Sequence, residues 1–138
     1  MTQIHAYLTF SGNCREAMTF YKDCLGGELT LQTVADSPIA DQMPAEARQG
    51  ILHSTLTRGA LVLMASDMAR DPVVQGNAVT LMLDCSSEEE IHRFFDALSS
   101  CGTVICPLEE AFWGATFGAL TDKYGIHWAL NYDKAPKA

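Results

Sequence analysis

The sequence predicts an α+β protein in which two βαβββ modules form one curved mixed sheet around a cup-shaped cleft, with the helices outside. Three observations predict it. FSGNCREAMTFYKDCLGG at 10 to 27 and LDCSSEEEIHRFFDALSSCG at 83 to 102 share one grammar: a strand end, a capped amphipathic helix and a glycine stop. Each helix is followed by a strand, a tight glycine turn and a strand, ILHSTLTRGALVLMAS at 51 to 66 and GATFGALTDKYGIHWALNY at 114 to 132. A single unit of four short strands and one helix also leaves sheet edges unpaired, which a second unit beside it completes.

HAYLTF at 5 to 10 has the apolar density of a first strand. Asn13 is the expected N-cap of the first helix, and Glu16, three residues on, closes a capping box. Cys14, Ala17, Met18, Tyr21 and Leu25 follow at three- and four-residue steps, and Gly26 and Gly27 supply the left-handed stop. ELTLQTV is a short strand, ADSPIADQMPAEARQG a polar loop, and the hairpin at 51 to 66 turns at Gly59. SDMARDPVVQGN links the halves. In the second copy AVTLMLDC at 78 to 85 is the first strand, and Ser86 or Ser87 caps the helix with Glu89 or Glu90 at the matching third position. Ile91, Phe94, Phe95 and Leu98 form its stripe, Gly102 follows its end, TVICPL is a short strand, and the last hairpin turns at Gly125, which superposes on Gly59. The chain reads as one domain: module 1 at about 1–68, a linker at about 69–76 and module 2 at about 77–134. No third copy exists, which removes solenoids and propellers.

Composition bounds the partners. No apolar run of the 138 residues approaches the ~20 needed to span a membrane, and MTQIHAYLTF passes straight into a strand rather than a signal sequence, so a soluble cytoplasmic protein is expected. Seventeen acidic against nine basic residues, a formal charge of −8, repel phosphate backbones and exclude nucleic acid as a partner. Five cysteines without C-x-x-C spacing signal neither a disulfide framework nor a zinc site, and reduced thiols are expected.

The βαβββ duplication, the FSGNCREAMTFY opening, the FWGATFG segment and the closing TDKYGIHWALNY together resemble the PhnB-like branch of the vicinal oxygen chelate superfamily, which includes glyoxalase I, fosfomycin and bleomycin resistance proteins and extradiol dioxygenases. The resemblance covers nearly the whole chain. It implies a homodimer with cups between paired modules, a small-molecule ligand, and typically one divalent metal held by His and Glu on the strands lining the cup. Carried onto this sequence, the implied metal positions are His5 at the first strand, Leu63 and Ala129 four residues after the two turn glycines, and Ala78 or Val79 as the second-half counterpart of His5. Three of the four are aliphatic and offer no lone pair, so no metal or other cofactor is expected. The alternative is a divalent metal on relocated ligands, His5, His53 and His127, in an enzyme of the lyase, isomerase, thiol transferase or dioxygenase type.

The cup is expected to involve His5, Leu63, Phe112, Trp113, Phe117, His127 and Ala129, with His127 on the same side of its strand as Ala129. Phe112, Trp113 and Phe117 form either an aromatic wall of the cup or a buried cluster at the sheet seam, with Gly114 and Gly118 permitting close approach. Trp128 faces the other way, into the core. Glu109 and Glu110 belong to a solvated loop, and the acidic run at 88 to 90 serves the helix dipole. Catalytic residues are not assigned. A purely structural or protein-binding dimer is the remaining reading.

Overall fold

A computed structural model describes residues 2–45, 48–69 and 71–134; Glu46, Ala47 and Arg70, within the two polar segments, lie outside the described residues, as does the C-terminal 135–138. The chain divides into two compact units, Met1–Val74 and Gln75–Ala138. In the first, β1 (Ala6–Thr9) leads to α1 (Cys14–Leu25), β2 (Glu28–Thr33), a 3-10 turn at Ala40–Gln42, β3 (Ile51–Arg58) and β4 (Leu61–Ser66). In the second, β5 (Leu81–Asp84) leads to α2 (Glu88–Ser99), β6 (Thr103–Glu110), β7 (Ala115–Thr121) and β8 (His127–Asp133). The sheets run β1-β4-β3-β2 and β5-β8-β7-β6, the same permutation, each with one parallel pair, β1 with β4 and β5 with β8. Both units are thus βαβββ modules, and no helix among the described residues is long and apolar enough to cross a membrane.

Both helices bury the stripes that their spacing dictates. α1 turns Cys14, Ala17, Met18, Tyr21, Cys24 and Leu25 inward, and α2 turns in Ile91, Phe94, Phe95 and Leu98. Each large side chain removed from water contributes about 1.5–3 kcal/mol, which makes these stripes the main reason the helices persist. α2 is capped as expected: Ser87 Oγ accepts from the Glu90 amide at 3.1 Å and the Glu90 carboxylate accepts from the Ser86 amide at 3.0 Å. α1 is not. Asn13 makes no side-chain cap, and the acceptor is Asp67, just past β4, whose Oδ1 receives the Gly12 and Cys14 amides at 2.8 and 3.0 Å while Oδ2 receives the Ile51 amide at 2.8 Å. A carboxylate is a stronger acceptor than an amide oxygen at a positive helix end, and here it ties three segments together.

Two further boundaries differ from expectation. β5 begins at Leu81, leaving Ala78 and Val79 exposed before it, and β6 continues past Pro107 to include Glu109 and Glu110. Proline is tolerated there because β6 is an edge strand whose register shifts on both sides of Cys106.

The duplication is visible in backbone contacts. Glu28 pairs with Thr57 and Thr103 with Thr121, and a Cβ added at the preceding glycine, Gly27 or Gly102, would strike the carbonyl oxygen of that same threonine. One position earlier Gly26 takes φ 78°, whereas its counterpart Cys101 holds φ 60° with a side chain attached. Gly102→Ala is therefore expected to cost about 2 kcal/mol or more in urea unfolding, against about 1 kcal/mol for Gly59→Ala, where only the positive φ resists. Cys101→Gly is expected to stabilise by up to about 1 kcal/mol; equal midpoints for Gly102→Ala and the parent would contradict the close approach.

All five cysteines are free thiols, with Cys14, Cys24 and Cys85 buried and Cys101 and Cys106 exposed. Burial pushes the Cys14 thiol up to about 11 and, with Glu90 and Asp84 adding to it, the Cys85 thiol up to about 12. Two thiols should react rapidly with a disulfide reagent in the native protein and five after denaturation. Because the folded state retains these protons above the ordinary thiol value of 9.0, stability should be unaffected below pH 9 and fall as pH climbs toward 12, as alkaline thermal melts would register.

Candidate functional site

Register decides which side chains of the second sheet face α2. A Cβ on Gly118 would lie 2.8 Å from the Phe95 ring, so that side of β7 is pressed against the helix. Leu120 shares it, as do their partners Trp128 and Leu130 on β8. The side turned away from α2 carries four cross-strand rows, the one at the β6–β7 turn pairing Asp133 with Ala115. Asp84, Asn131, Phe117 and Glu109 form the first; Met82, Ala129, Ala119 and Cys106 the second; His127, Thr121 and Thr103 the third. His127 and Ala129 do share this face, and Trp128, 2 % exposed, lies behind it.

The aromatic residues crown the first row. Phe112 and Trp113 occupy the β6–β7 turn, which closes through the Ala111 amide to the Ala115 carbonyl at 2.7 Å. Trp113 stands edge-on to Phe117, centroids 5.7 Å apart, and Phe112 edge-on to Trp113 at 5.0 Å. The Trp113 indole N–H donates to Asn131 Oδ1 at 3.4 Å, and the Asn131 amide nitrogen donates in turn to Asp84 at 3.4 Å and Asp133 at 3.2 Å. Yet Phe112 is 98 % exposed, Trp113 52 % and Met82 60 %. The structure thus presents an exposed, hydrogen-bonded aromatic platform rather than a buried cluster.

Of the histidines, His127 has both ring nitrogens engaged: Nε2 lies 2.9 Å from the Gly76 carbonyl, which can only accept, and Nδ1 lies 2.9 Å from Thr121 Oγ1. His5 is exposed one residue ahead of β1. His53, on β3, lies 3.2 Å from Thr55 Oγ1 with the Tyr7 ring 6.2 Å away. Among the described residues no three His, Cys, Asp or Glu side chains are grouped so as to hold a metal ion.

Leu63 sits elsewhere. It pairs with Ala6 and Leu56, on the side of Ser54, whose hydroxyl lies 3.5 Å from Cys14 Sγ in α1. Equating Gly59 with Gly125 fails because the first hairpin pairs Arg58 with Leu61 across two residues, while the second pairs Thr121 with His127 across five. Matched by register, Leu63 corresponds to Trp128, and the counterpart of Ala129 is Met64, in the row Tyr7, Met64, Thr55 and Thr30. Since Tyr7 then matches Met82, the counterpart of His5 is Thr80 rather than Ala78 or Val79. Met64, Thr80 and Ala129 supply neither imidazole nor carboxylate, and the residues present do not fit the divalent metal that the superfamily typically carries.

The five-residue loop of the second hairpin is built on Asp122, a residue without a role in the sequence reading. Its carboxylate, 3 % exposed, accepts from the Tyr124 and Ile126 amides at 2.8 and 3.1 Å and from the Trp128 indole at 2.8 Å. Aspartate opening a D-x-x-G turn was the signal that could have found it.

A duplicated βαβββ unit with a single capped helix packed on one side of each mixed sheet defines a glyoxalase-like protein, and comparison with known proteins narrows the class. A family model described as 3-demethylubiquinone-9 3-methyltransferase matches residues 2–131. Protein YjdN of Escherichia coli (strain K12) is 32% identical over 137 residues, covering 93% of each chain. The crystal structure of protein PA1353 from Pseudomonas aeruginosa matches with a TM-score of 0.85 at 38% identity, over 96% of this chain and 98% of that one. A PhnB protein from Bacillus cereus, described as a putative 3-demethylubiquinone-9 3-methyltransferase, matches at 0.73 and 26% identity, over 95% and 99%. The fold alone extends to a glyoxalase/bleomycin resistance protein/dioxygenase family enzyme from Burkholderia phytofirmans, at 0.63 and 13% identity over 93% and 97%. The chain belongs to the PhnB-like family of the vicinal oxygen chelate superfamily.

Asp122→Ala would remove the acceptor of one buried donor, the Trp128 indole, and of two part-buried ones, the Tyr124 and Ile126 amides. At about 1–3 kcal/mol each, the expected loss is at least about 3 kcal/mol in urea unfolding, with collapse of the near-UV signal of Trp128. A loss below 1 kcal/mol would mean that the loop holds without it.

Proposed function

We propose that this chain binds a small organic molecule on the side of its second sheet turned away from α2, without a metal, as a homodimeric protein of the cytoplasm. The observation that carries the reading is Trp113, half-exposed although its N–H is anchored on Asn131 and its ring stands against Phe117, beside fully exposed Phe112; the neighbouring row on the same side of the sheet, Met82, Ala129 and Ala119, is apolar. Exposed aromatic surface held in one orientation is costly in water and is what a flat apolar ligand would cover. β6 supports the dimer: it ends its sheet, with no strand on its outer edge among the described residues, and Val104 and Ile105 are both exposed. Five free thiols, three of them buried, suit a reducing compartment.

The metal-dependent alternative, on His5, His53 and His127, gains nothing from a His127 ring whose two nitrogens are already occupied. The methyl transfer in the family description is a statement about that family and forms no part of this reading.

Fluorescence anisotropy of 2-naphthol, an uncharged aromatic probe, tests the proposal on protein purified without chelators. Saturable binding is expected, unchanged by EDTA and weakened at least 10-fold, about 1.4 kcal/mol, by Trp113→Ala. Stoichiometric zinc, nickel, manganese or iron in the purified protein, or binding indifferent to Trp113→Ala, would overturn it.

A further inference from the structure

We infer that the side chains of His127 and Gln75 clamp the segment entering β5, and that this clamp positions β5, and Met82 with it, on the second sheet. The clamp is a property of the fold; its bearing on a ligand rests on the preceding reading of the side turned away from α2.

β5 is weakly specified by its own residues. It spans four residues, Leu81–Asp84, and its one neighbour among the described residues is β8, in a parallel pairing. Parallel pairing is slightly less stable per residue than antiparallel pairing. The side-chain pattern gives little help with register, because Leu81, Met82 and Leu83 are all apolar and each suits the core side. The observed register puts Leu81 opposite Trp128 and Leu83 opposite Leu130, on the helix side, and leaves Met82 and Asp84 on the other. A slip of one residue would turn Met82 inward and place Leu81 and Leu83 on the side that carries the platform.

The segment before β5 supplies what the strand lacks. His127 Nε2 lies 2.9 Å from the Gly76 carbonyl and donates to it. Beside it the Gln75 side-chain amide lies against Gly125, where a Cβ would overlap it. Both contacts fall at the β7–β8 connection. The chain is therefore fastened at Gln75 and Gly76, and it reaches its place opposite Trp128, the neighbour of His127 in the chain, through residues 77–80 alone. A fixed point and a fixed path length set the register of β5 much as a turn sets that of a hairpin. His127 is itself held, its Nδ1 lying 2.9 Å from Thr121 Oγ1, and the loop it stands on is built on Asp122. One connection thus sets the register of β8 against both its neighbours, β7 through Asp122 and β5 through His127 and Gly125.

Amide deuterium exchange of the full chain, read peptide by peptide, tests the clamp. His127→Ala is expected to speed exchange in the peptide spanning 78–85 about 5-fold or more, the effect of one hydrogen bond of ordinary net strength, and to leave the α2 peptide near the parent rate. His127→Gln, whose side-chain amide keeps a donor for the Gly76 carbonyl, is expected to return most of that protection. Gln75→Ala alters an exposed side chain, is expected to act in the same direction as His127→Ala, and decides the outcome if the His127→Ala protein does not fold. The Kd for 2-naphthol is expected to rise about 2-fold in His127→Ala and Gln75→Ala, as for a face competent in half of the molecules. Unchanged exchange at 78–85 in both alanine variants, no return of protection in His127→Gln, or a rise shared equally by the α2 peptide would overturn the clamp. Faster exchange with unaltered 2-naphthol affinity would overturn its bearing on the ligand. A parent chain that binds no 2-naphthol while exchange responds as expected would overturn the platform and leave the clamp standing.

Discussion

The buried carboxylate of Asp122 decides which way β8 points. By holding two loop amides and the Trp128 indole it fixes a five-residue connection between Thr121 and His127, and that connection sets the register of β7 against β8. Side chains alternate along a strand, so a slip of one residue would exchange the two faces entirely, sending Trp128 and Leu130 outward and His127, Ala129 and Asn131 onto the helix. The platform depends on this. Asn131 can reach both Trp113 and Asp84 only because it stands in the row of Phe117 and Asp84, opposite the helix.

The two units follow one plan and diverge where the plan leaves freedom. They share the strand permutation, the parallel outer pair and the glycine driven against a threonine carbonyl, all of which are backbone requirements. They differ in how the helix is capped, from a distant Asp67 in one and a local Ser87 and Glu90 in the other, because a cap needs only an acceptor and not a particular source. They differ most on the faces turned from the helices. Tyr7, Met64, Thr55 and Thr30 form a largely polar row in the first unit, where Met82, Ala129, Ala119 and Cys106 form an apolar one in the second. The helix side of each sheet must stay apolar to hold the fold; the other side is where a duplicated unit can specialise.

Most of the architecture was legible in the sequence because it rests on local rules. Helix stripes, the Ser87 and Glu90 box, the Gly26 stop of α1 and the presence of a hairpin in each half are set by residues within a few positions of one another and appear where the pattern puts them, whereas the left-handed residue after α2 is Cys101 rather than Gly102. What local pattern could not carry was long-range or combinatorial. Asp67 caps α1 from 53 residues away, so the nearer Asn13 was the natural but wrong choice. The length of the second turn could not be read from the position of its glycine, and that single miscount moved Leu63 from the helix side onto the wrong face. FWG announced itself as special, yet its exposure depends on Asn131 and the β6–β7 turn, and no spacing rule reports either.

The donor set on the face opposite α2 bears on how this member of the superfamily can select a ligand. A metal selects by the geometry of a few strong bonds and tolerates much variation beyond them. Here Ala129 and Met64 occupy register positions that face away from the helices and contribute only shape, and the directional groups are an indole, an amide and carboxylates. Such groups act individually at about 1 kcal/mol, so selection has to come from their being fixed before the ligand arrives. The structure supplies that fixation: Trp113 is held by a hydrogen bond at one edge and by Phe112 and Phe117 at its flanks, and Asn131 is held in turn by two carboxylates. A ring so restrained would lose little freedom if a ligand stacked on it, which is how the proposed binding face would gain specificity without a metal.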